Sequence, residues 1–79
     1  MNIARVRWAC RRGMLELDVL FQPFVENFYQ EMSDEDKTVF IRLLECEDPE
    51  LFAWFMGHEV CPDAELARMV VKVRGRPAP

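Results

Sequence analysis

Two cations, a glycine and two carboxylates lie close together near the start of the chain. Arg11 is followed by the segment Arg12-Gly13-Met14-Leu15-Glu16-Leu17-Asp18. Guanidinium groups form strong charge-assisted hydrogen bonds with carboxylates, and glycine readily takes the left-handed conformation in which many helices end. These residue types predict a turn that ends a helix at Gly13 and displays its charged groups to a partner. A helix end followed by a turn with internal ion pairs is the alternative interpretation.

The remaining reactive side chains give little support for catalysis. His58 lies next to Glu59 and three residues before Cys61, a spacing that suggests a Cys–His nucleophile or a metal site. No third partner is indicated, so we predict a surface histidine, no catalytic residue and no metal site. The carboxylates of residues 45–50 are interpreted as helix-capping and solvating groups. No glycine-rich phosphate loop or dinucleotide fingerprint is present, so no cofactor is expected to bind this chain stably.

The charged residues are segregated along the chain, which has a formal net charge of −4. Residues 1–12 carry four arginines and no acid, and residues 66–79 carry three arginines, one lysine and no acid. Residues 13–65 hold all 14 aspartates and glutamates against only Lys37 and Arg42, a balance of −12. The pattern predicts a basic end on an acidic body if the termini pack together, with a mixed, solvated surface as the alternative. Nucleic acid is not expected as a partner, because each basic block is small.

The cysteines and the apolar runs predict the compartment. Cys10, Cys46 and Cys61 form no Cys-x-x-Cys pair, which disfavours a zinc site or a redox dithiol and is typical of free thiols in a reducing compartment. The start of the chain does not resemble a signal or transit peptide. The longest uninterrupted apolar run, residues 51–56, is too short to cross a bilayer. We therefore expect a soluble, cytoplasmic protein without membrane insertion, monomeric when free.

Helical periodicity predicts an all-α fold, a compact bundle of about five short helices. The first helix is predicted over about residues 2–12. The second is predicted as a helical turn over about 14–21, a kink or break near Pro23, and a helix to about Met32. Proline lacks a backbone donor and disfavours helix in the residue before it, which is the reason for the expected break.

Capping residues mark the starts of the later helices. Ser33 is a predicted N-cap, Asp48 followed by Pro49 opens the fourth helix, and Pro62 with Asp63 opens the fifth. With 79 residues, the chain has room for one domain only. We expect a single helical domain over residues 1–73 and a basic disordered tail over residues 74–79.

The apolar residues at helical spacing are interpreted as core. Trp8, one of the two tryptophans, lies on the basic first helix and is expected to be partly exposed, as residues at binding surfaces are. The last helix is expected to turn Leu66, Ala67, Val70, Val71 and Val73 inward. The aromatic residues expected in the core are Phe21, Phe24, Phe28, Phe40, Phe52 and Phe55.

Three stretches of this sequence resemble the SdhE-type FAD assembly factors, small proteins that assist flavinylation of succinate dehydrogenase. They are residues 8–18 followed by Pro23 and Phe24, residues 40–52 with Trp54, and residues 63–66. The first stretch, which contains the Arg-Gly-Met-x-Glu-Leu-Asp pattern, is the most specific. The similarity extends from Arg5 to about Val73, whereas Cys61 and the Arg-Gly-Arg-Pro tail fall outside the pattern.

The resemblance implies a non-enzymatic helper, or chaperone, with a fold of about five helices. Such a helper binds the flavoprotein subunit of succinate dehydrogenase, and often that of fumarate reductase, and promotes covalent attachment of FAD to a histidine of that subunit. FAD is then a cofactor of the partner. Some related sequences are labelled as antitoxins of a membrane-associated toxin, which is the alternative function.

The resemblance also assigns the charged segment to the partner-facing surface. We expect Gly13 to let the backbone lie against the flavoprotein, and Arg12 to pair with one of its carboxylates. The candidate partner-binding residues are Arg5, Trp8, Arg11, Arg12, Gly13, Met14, Glu16, Leu17 and Asp18.

Overall fold

The computed structural model describes residues 3–75 and has five α-helices and no strand over that range. The predicted all-α bundle is confirmed. Helix α5 packs against α2, α3 and α4, and α2 also packs against α1 and α4. No helix within the described range is long and apolar enough to span a bilayer. The helices are α1 Ile3–Ala9, α2 Leu15–Phe28, α3 Asp34–Leu44, α4 Asp48–Phe55 and α5 Ala64–Arg74, with a 3-10 turn, Tyr29–Glu31, directly after α2.

Helix α1 ends at Ala9, earlier than the predicted residue 12. The Arg11 backbone N–H still turns back to the Trp8 carbonyl at 3.0 Å, but the Arg12 N–H donates instead to Asp18 Oδ1 at 2.9 Å. This side-chain acceptor draws the chain out of the helix. Gly13 has the left-handed conformation that the sequence predicts, with φ of 76°, but it lies inside the α1–α2 loop and does not directly cap α1.

The predicted break at Pro23 does not occur, because α2 continues through this residue to Phe28. Proline removes the N–H that would bind the Val19 carbonyl. Pro23 and Val19 are both exposed, so water can replace the missing donor on this side of the helix. The Asn27 side chain donates to the Pro23 carbonyl at 2.8 Å, which further secures the last turn.

The predicted cap at Ser33 is confirmed, Asp63 caps the fifth helix at its predicted start, and the cap of the fourth helix is shifted by one residue. Ser33 Oγ accepts from the Asp36 N–H at 3.1 Å, and Asp63 Oδ1 accepts from the Leu66 N–H at 3.1 Å. Helix α4 is capped by Glu47 and begins with Asp48, although Asp48 was the predicted cap. The Asp48 carboxylate is therefore available for a tertiary contact, described below.

Phe21 lies at the centre of the core, with its ring edge-to-face with those of Phe40 and Phe55 at centroid distances of 6.0 and 5.2 Å. Phe24 is also buried, as predicted, whereas Phe28 is 54% exposed and Phe52 is only half-buried. The 3-10 turn that follows α2 explains the exposure of Phe28, because it brings the next ring, Tyr29, into the core in its place.

Helix α5 differs from the predicted fifth helix at one core position and at its end. Leu66, Val70 and Val73 are buried as predicted, but Val71 is 41% exposed and does not turn inward. Arg74, assigned to the tail from the sequence, is the last residue of α5, and Gly75 caps this helix in the left-handed conformation. The rest of the predicted tail, residues 76–79, lies outside the described residues.

Candidate partner surface

The Arg12 side chain is directed into the protein. Its Nε donates to Asp48 Oδ1 at 2.7 Å, and its two terminal nitrogens donate to the carbonyls of Leu44 at 2.6 Å, Cys46 at 2.7 Å and Ala9 at 3.1 Å. Only 14% of the side chain is exposed. The guanidinium of Arg12, which was expected to pair with a carboxylate of the partner, instead forms an internal ion pair with Asp48. We term these contacts the Arg12 cluster; it fixes the α1–α2 loop to the junction of α3 and α4.

Three more of the candidate residues also contribute to the structure of the loop. Leu17 is fully buried and belongs to the core, so it does not contribute side-chain contacts to a surface. Asp18 is half-buried and uses Oδ1 to accept the Arg12 N–H. Met14 is half-buried, packs against the core and is the N-cap residue of α2. These residues give the loop its shape, and the residues between them are exposed to solvent.

The exposed candidates are Arg5, Trp8, Arg11, Gly13 and Glu16. Trp8 is the most informative, because 74% of this large ring is in contact with solvent. Tryptophan and arginine are the residues most enriched among those that dominate binding energy at interfaces. The predicted exposure of Trp8 is confirmed, and its position on α1 places it directly before the loop.

Two exposed apolar residues were missed by the sequence analysis. Leu15 and Val19, one helical turn apart on α2, are 73% and 57% exposed. Both lie off the apolar stripe that α2 turns to the core, which is a signal that the sequence already contained. We define the α1–α2 surface by its exposed residues, which are Trp8, Arg11, Gly13, Leu15, Glu16 and Val19.

Gly13 lies in open space at this surface. A β-carbon built on Gly13 would meet no atom of the described chain within 4 Å, so a side chain would not clash inside the protein. Its φ of 76° nevertheless disfavours any other residue by about 1 kcal/mol. A side chain at this position would project outward, where a bound partner would have to accommodate it.

The titratable groups near the loop do not form a reactive site. Burial is the largest of several influences on the Cys10 thiol, whose pKa is raised to about 12. This thiol therefore stays protonated near neutral pH. Burial also raises the pKa of Cys46. His58 is exposed, with its ring 5.8 Å from that of Phe52. Among residues 3–75, no group of three or more histidine, cysteine or acidic side chains is arranged to hold a metal ion.

Comparison with known proteins identifies close relatives. Residues 4–77 match the model of the Sdh5 family, described as the flavinator of succinate dehydrogenase. The FAD assembly factor SdhE of Shewanella oneidensis is 89% identical over 79 residues, which covers 100% of this chain and 96% of that protein. The SdhE of Idiomarina loihiensis is 68% identical over 66 residues, covering 84% of this chain and 73% of that protein.

A solved structure has a similar fold. The solution structure of a UPF0350 protein matches with a TM-score of 0.75 and 50% identity, covering 91% of this chain and 77% of that chain. Neither the family description nor the names of these relatives mention a toxin or an antitoxin. The antitoxin alternative therefore receives no support.

Proposed function

We propose that this chain, which belongs to the family of flavinators of succinate dehydrogenase, binds the flavoprotein subunit of that enzyme and promotes covalent attachment of FAD to it. The names of its relatives, FAD assembly factors, support the assembly role. The flavoprotein of fumarate reductase, which presents the same chemistry, is proposed as a second client. FAD belongs to the client, and this chain acts as a helper and not as an enzyme.

Orientation is the contribution that a small helper can make to this reaction. For the bond to FAD to form, the methyl group of the flavin would lose a proton and a histidine nitrogen of the flavoprotein, losing its own proton, would bond to that carbon. The electron pair of the broken C–H bond would remain as negative charge on the isoalloxazine ring of the reduced flavin, which the electron acceptor of the client reoxidises. Holding two reacting groups in the productive geometry lowers the barrier substantially, and fixed donors of the client can stabilise the charge. By clamping the client in that geometry, the helper accelerates the reaction without supplying a reacting atom.

The single observation that best supports a binding role is the pair of large apolar side chains beside the loop. Trp8 and Leu15, 74% and 73% exposed, lie at the end of α1 and the start of α2. Leaving so much apolar area in water is unfavourable, and covering it would supply a large part of the binding free energy. Arg11 and Glu16 add one charge of each sign, which favours one orientation of the client.

The Arg12 cluster has a supporting role in this proposal. It holds the loop that carries Gly13, so the exposed backbone has a fixed conformation before binding. The free-energy cost of ordering the loop on binding is therefore small. Arg12 and Asp18 are thus positioning residues, whereas Trp8, Leu15 and Glu16 would touch the client.

Covalent flavin on the client provides the test. In-gel flavin fluorescence of the succinate dehydrogenase flavoprotein is compared in cells with and without this gene, complemented by the wild type or by a variant. We expect loss of fluorescence without the gene, restoration by the wild type, and no restoration by Gly13→Arg or Glu16→Ala. Unchanged fluorescence in the deletion strain would contradict the proposed function.

Two matched controls separate the surface from general damage. Gly57 is exposed and has a left-handed φ of 77°, close to that of Gly13, so Gly57→Arg introduces the same strain elsewhere. Glu59→Ala removes an exposed carboxylate outside the α1–α2 surface. Both controls should restore flavinylation, and failure of either would show that the effects are not specific to the α1–α2 surface.

A further inference from the structure

A second apolar feature lies between the last turns of α2 and the end of α5. It is a groove of about 480 Å³. Phe28, 54% exposed, rests on the Phe24 ring at a centroid distance of 5.5 Å and forms part of the wall. The cations Lys72 and Arg74 lie at the α5 side. The apolar lining consists mainly of Val19, Leu20, Pro23, Phe24, Phe28 and Val73.

Arg74 is the unexplained group at this groove. Its Nη1 is buried and has no hydrogen-bond acceptor within the described residues. Lys72, by contrast, pairs with Asp36 at 3.0 Å. A buried charged donor without an acceptor is costly, so Arg74 Nη1 is the donor at this groove that a bound acceptor would stabilise. The missing partner must be an acceptor, and a carboxylate satisfies a guanidinium best.

The groove is continuous with the α1–α2 surface. Val19 and Pro23 line it and also line a shallow depression that includes Leu15 and Glu26. Exposed apolar area therefore extends along one side of α2, from the loop to Phe28. A partner that covers Leu15 is positioned to reach the groove as well.

We propose that the groove receives a second segment of the flavoprotein client, one that places a large apolar side chain against Phe28 and a carboxylate at Arg74. This inference rests on the proposed function, since it assumes the same client. It adds a second contact region, at which the client segment would contribute an apolar side chain and a carboxylate. Binding at two regions would hold the client more firmly in one orientation than the loop alone, which is what a helper acting through geometry requires.

Affinity measurements with the purified flavoprotein subunit test the groove. We expect Phe28→Gln and Arg74→Met each to weaken binding about 10-fold or more, as for residues that dominate an interface. Val60→Gln is the control for Phe28→Gln, because Val60 is 89% exposed and does not line the groove. Arg68→Met is the control for Arg74→Met, because Arg68 is an exposed arginine of the same helix that does not line the groove. Helical circular dichroism should be unchanged, and Arg74→Gln, which also removes the charge, serves if Arg74→Met fails to fold.

Salt dependence distinguishes the two contacts. A carboxylate partner for Arg74 predicts that affinity falls with ionic strength in the wild type and in Phe28→Gln, and that the fall is less steep in Arg74→Met. Wild-type affinity for both groove variants, or an unaltered salt slope in Arg74→Met, would overturn the inference. Failure of the wild type to bind the flavoprotein would instead overturn the proposed function itself.

Cross-linking identifies the occupant directly. A photoreactive benzoylphenylalanine is placed at position 28 of the full chain, mixed with the flavoprotein subunit, and the products are mapped by mass spectrometry. We expect a cross-link to a flavoprotein segment that contains an aspartate or glutamate beside apolar residues. A product confined to residues 76–79 of the same chain, or to a second copy of it, would contradict the inference.

Discussion

Removal of the Arg12 guanidinium should destabilise the protein more than any other change of a charged residue near the loop. Arg12→Met keeps the length and apolar stem of the side chain and deletes one ion pair and three hydrogen bonds to carbonyls. Arg12 and Asp48 are only 14% and 30% exposed, so the pair is poorly screened by solvent. The change therefore leaves a partly buried carboxylate and several carbonyls without their donor.

The magnitude follows from these contacts. Hydrogen bonds to a charged group contribute about 1.5–3 kcal/mol each, and removing one partner of a buried ion pair costs about 3–5 kcal/mol. Full addition would overestimate the loss, because Asp48 and the carbonyls can be partly rehydrated once Arg12 is gone. We expect the free energy of unfolding to fall by about 3 kcal/mol, a large share of the total stability of so small a domain. The melting temperature should fall by about 15 °C.

Urea unfolding followed by circular dichroism measures this loss. Arg11→Met is the matched control: Arg11 is the adjacent arginine and is exposed, so its change should stay within about 0.5 kcal/mol. A double-mutant cycle with Asp48→Asn should give a coupling of about 1–2 kcal/mol. If Arg12→Met were as stable as Arg11→Met, the Arg12 cluster would not be what holds the loop, and the reasoning would be wrong.

Three further outcomes follow from the structure. Trp8→Ala should weaken flavoprotein binding by about 30-fold in a titration. The urea midpoint should be nearly unchanged, since the ring is 74% exposed. Unaltered affinity would show that Trp8 does not contact the flavoprotein. Cys10 should resist alkylation at pH 8 in the native protein because burial raises its pKa to about 12, whereas rapid labelling would show that the loop opens readily. The pKa of Asp63 is lowered in the folded protein, first by the hydrogen bond from the Leu66 N–H and also by Arg42. The ionised Asp63 therefore stabilises the fold above its unfolded pKa, near 3.8, and this stabilisation is lost as the pH falls through the lower folded pKa. The melting temperatures of the wild type and Asp63→Asn should accordingly converge as the pH falls through the lowered pKa, and a constant difference would refute this assignment.

Sequence reasoning succeeded where the determining chemistry is local. The Ser33 and Asp63 caps depend on a side chain and an N–H two or three residues away. The cap at Ser33 was predicted, and so was the start of the last helix at Asp63. The left-handed Gly13 also follows from residue type. The continuation of α2 through Pro23 was not predicted, because it depends on which side of the helix faces solvent.

Which of the candidate residues are exposed was predicted only in part, since burial is set by tertiary packing. Arg12 pairs with Asp48, which is 36 positions away, and no local sequence pattern predicts such a pair. Leu17 and Leu15 are alternate leucines of one motif, yet the first is fully buried and the second is 73% exposed. The resemblance locates the segment, whereas the structure separates the residues that shape the loop from those that are exposed.

Covalent flavin formation with purified components tests the central claim most directly. The apo-flavoprotein subunit is incubated with FAD, with or without this protein, and covalent flavin is followed by fluorescence of the denatured subunit. The account predicts that the wild type accelerates attachment and that Gly13→Arg, although folded, does not. Equal rates with and without the wild-type protein would contradict it.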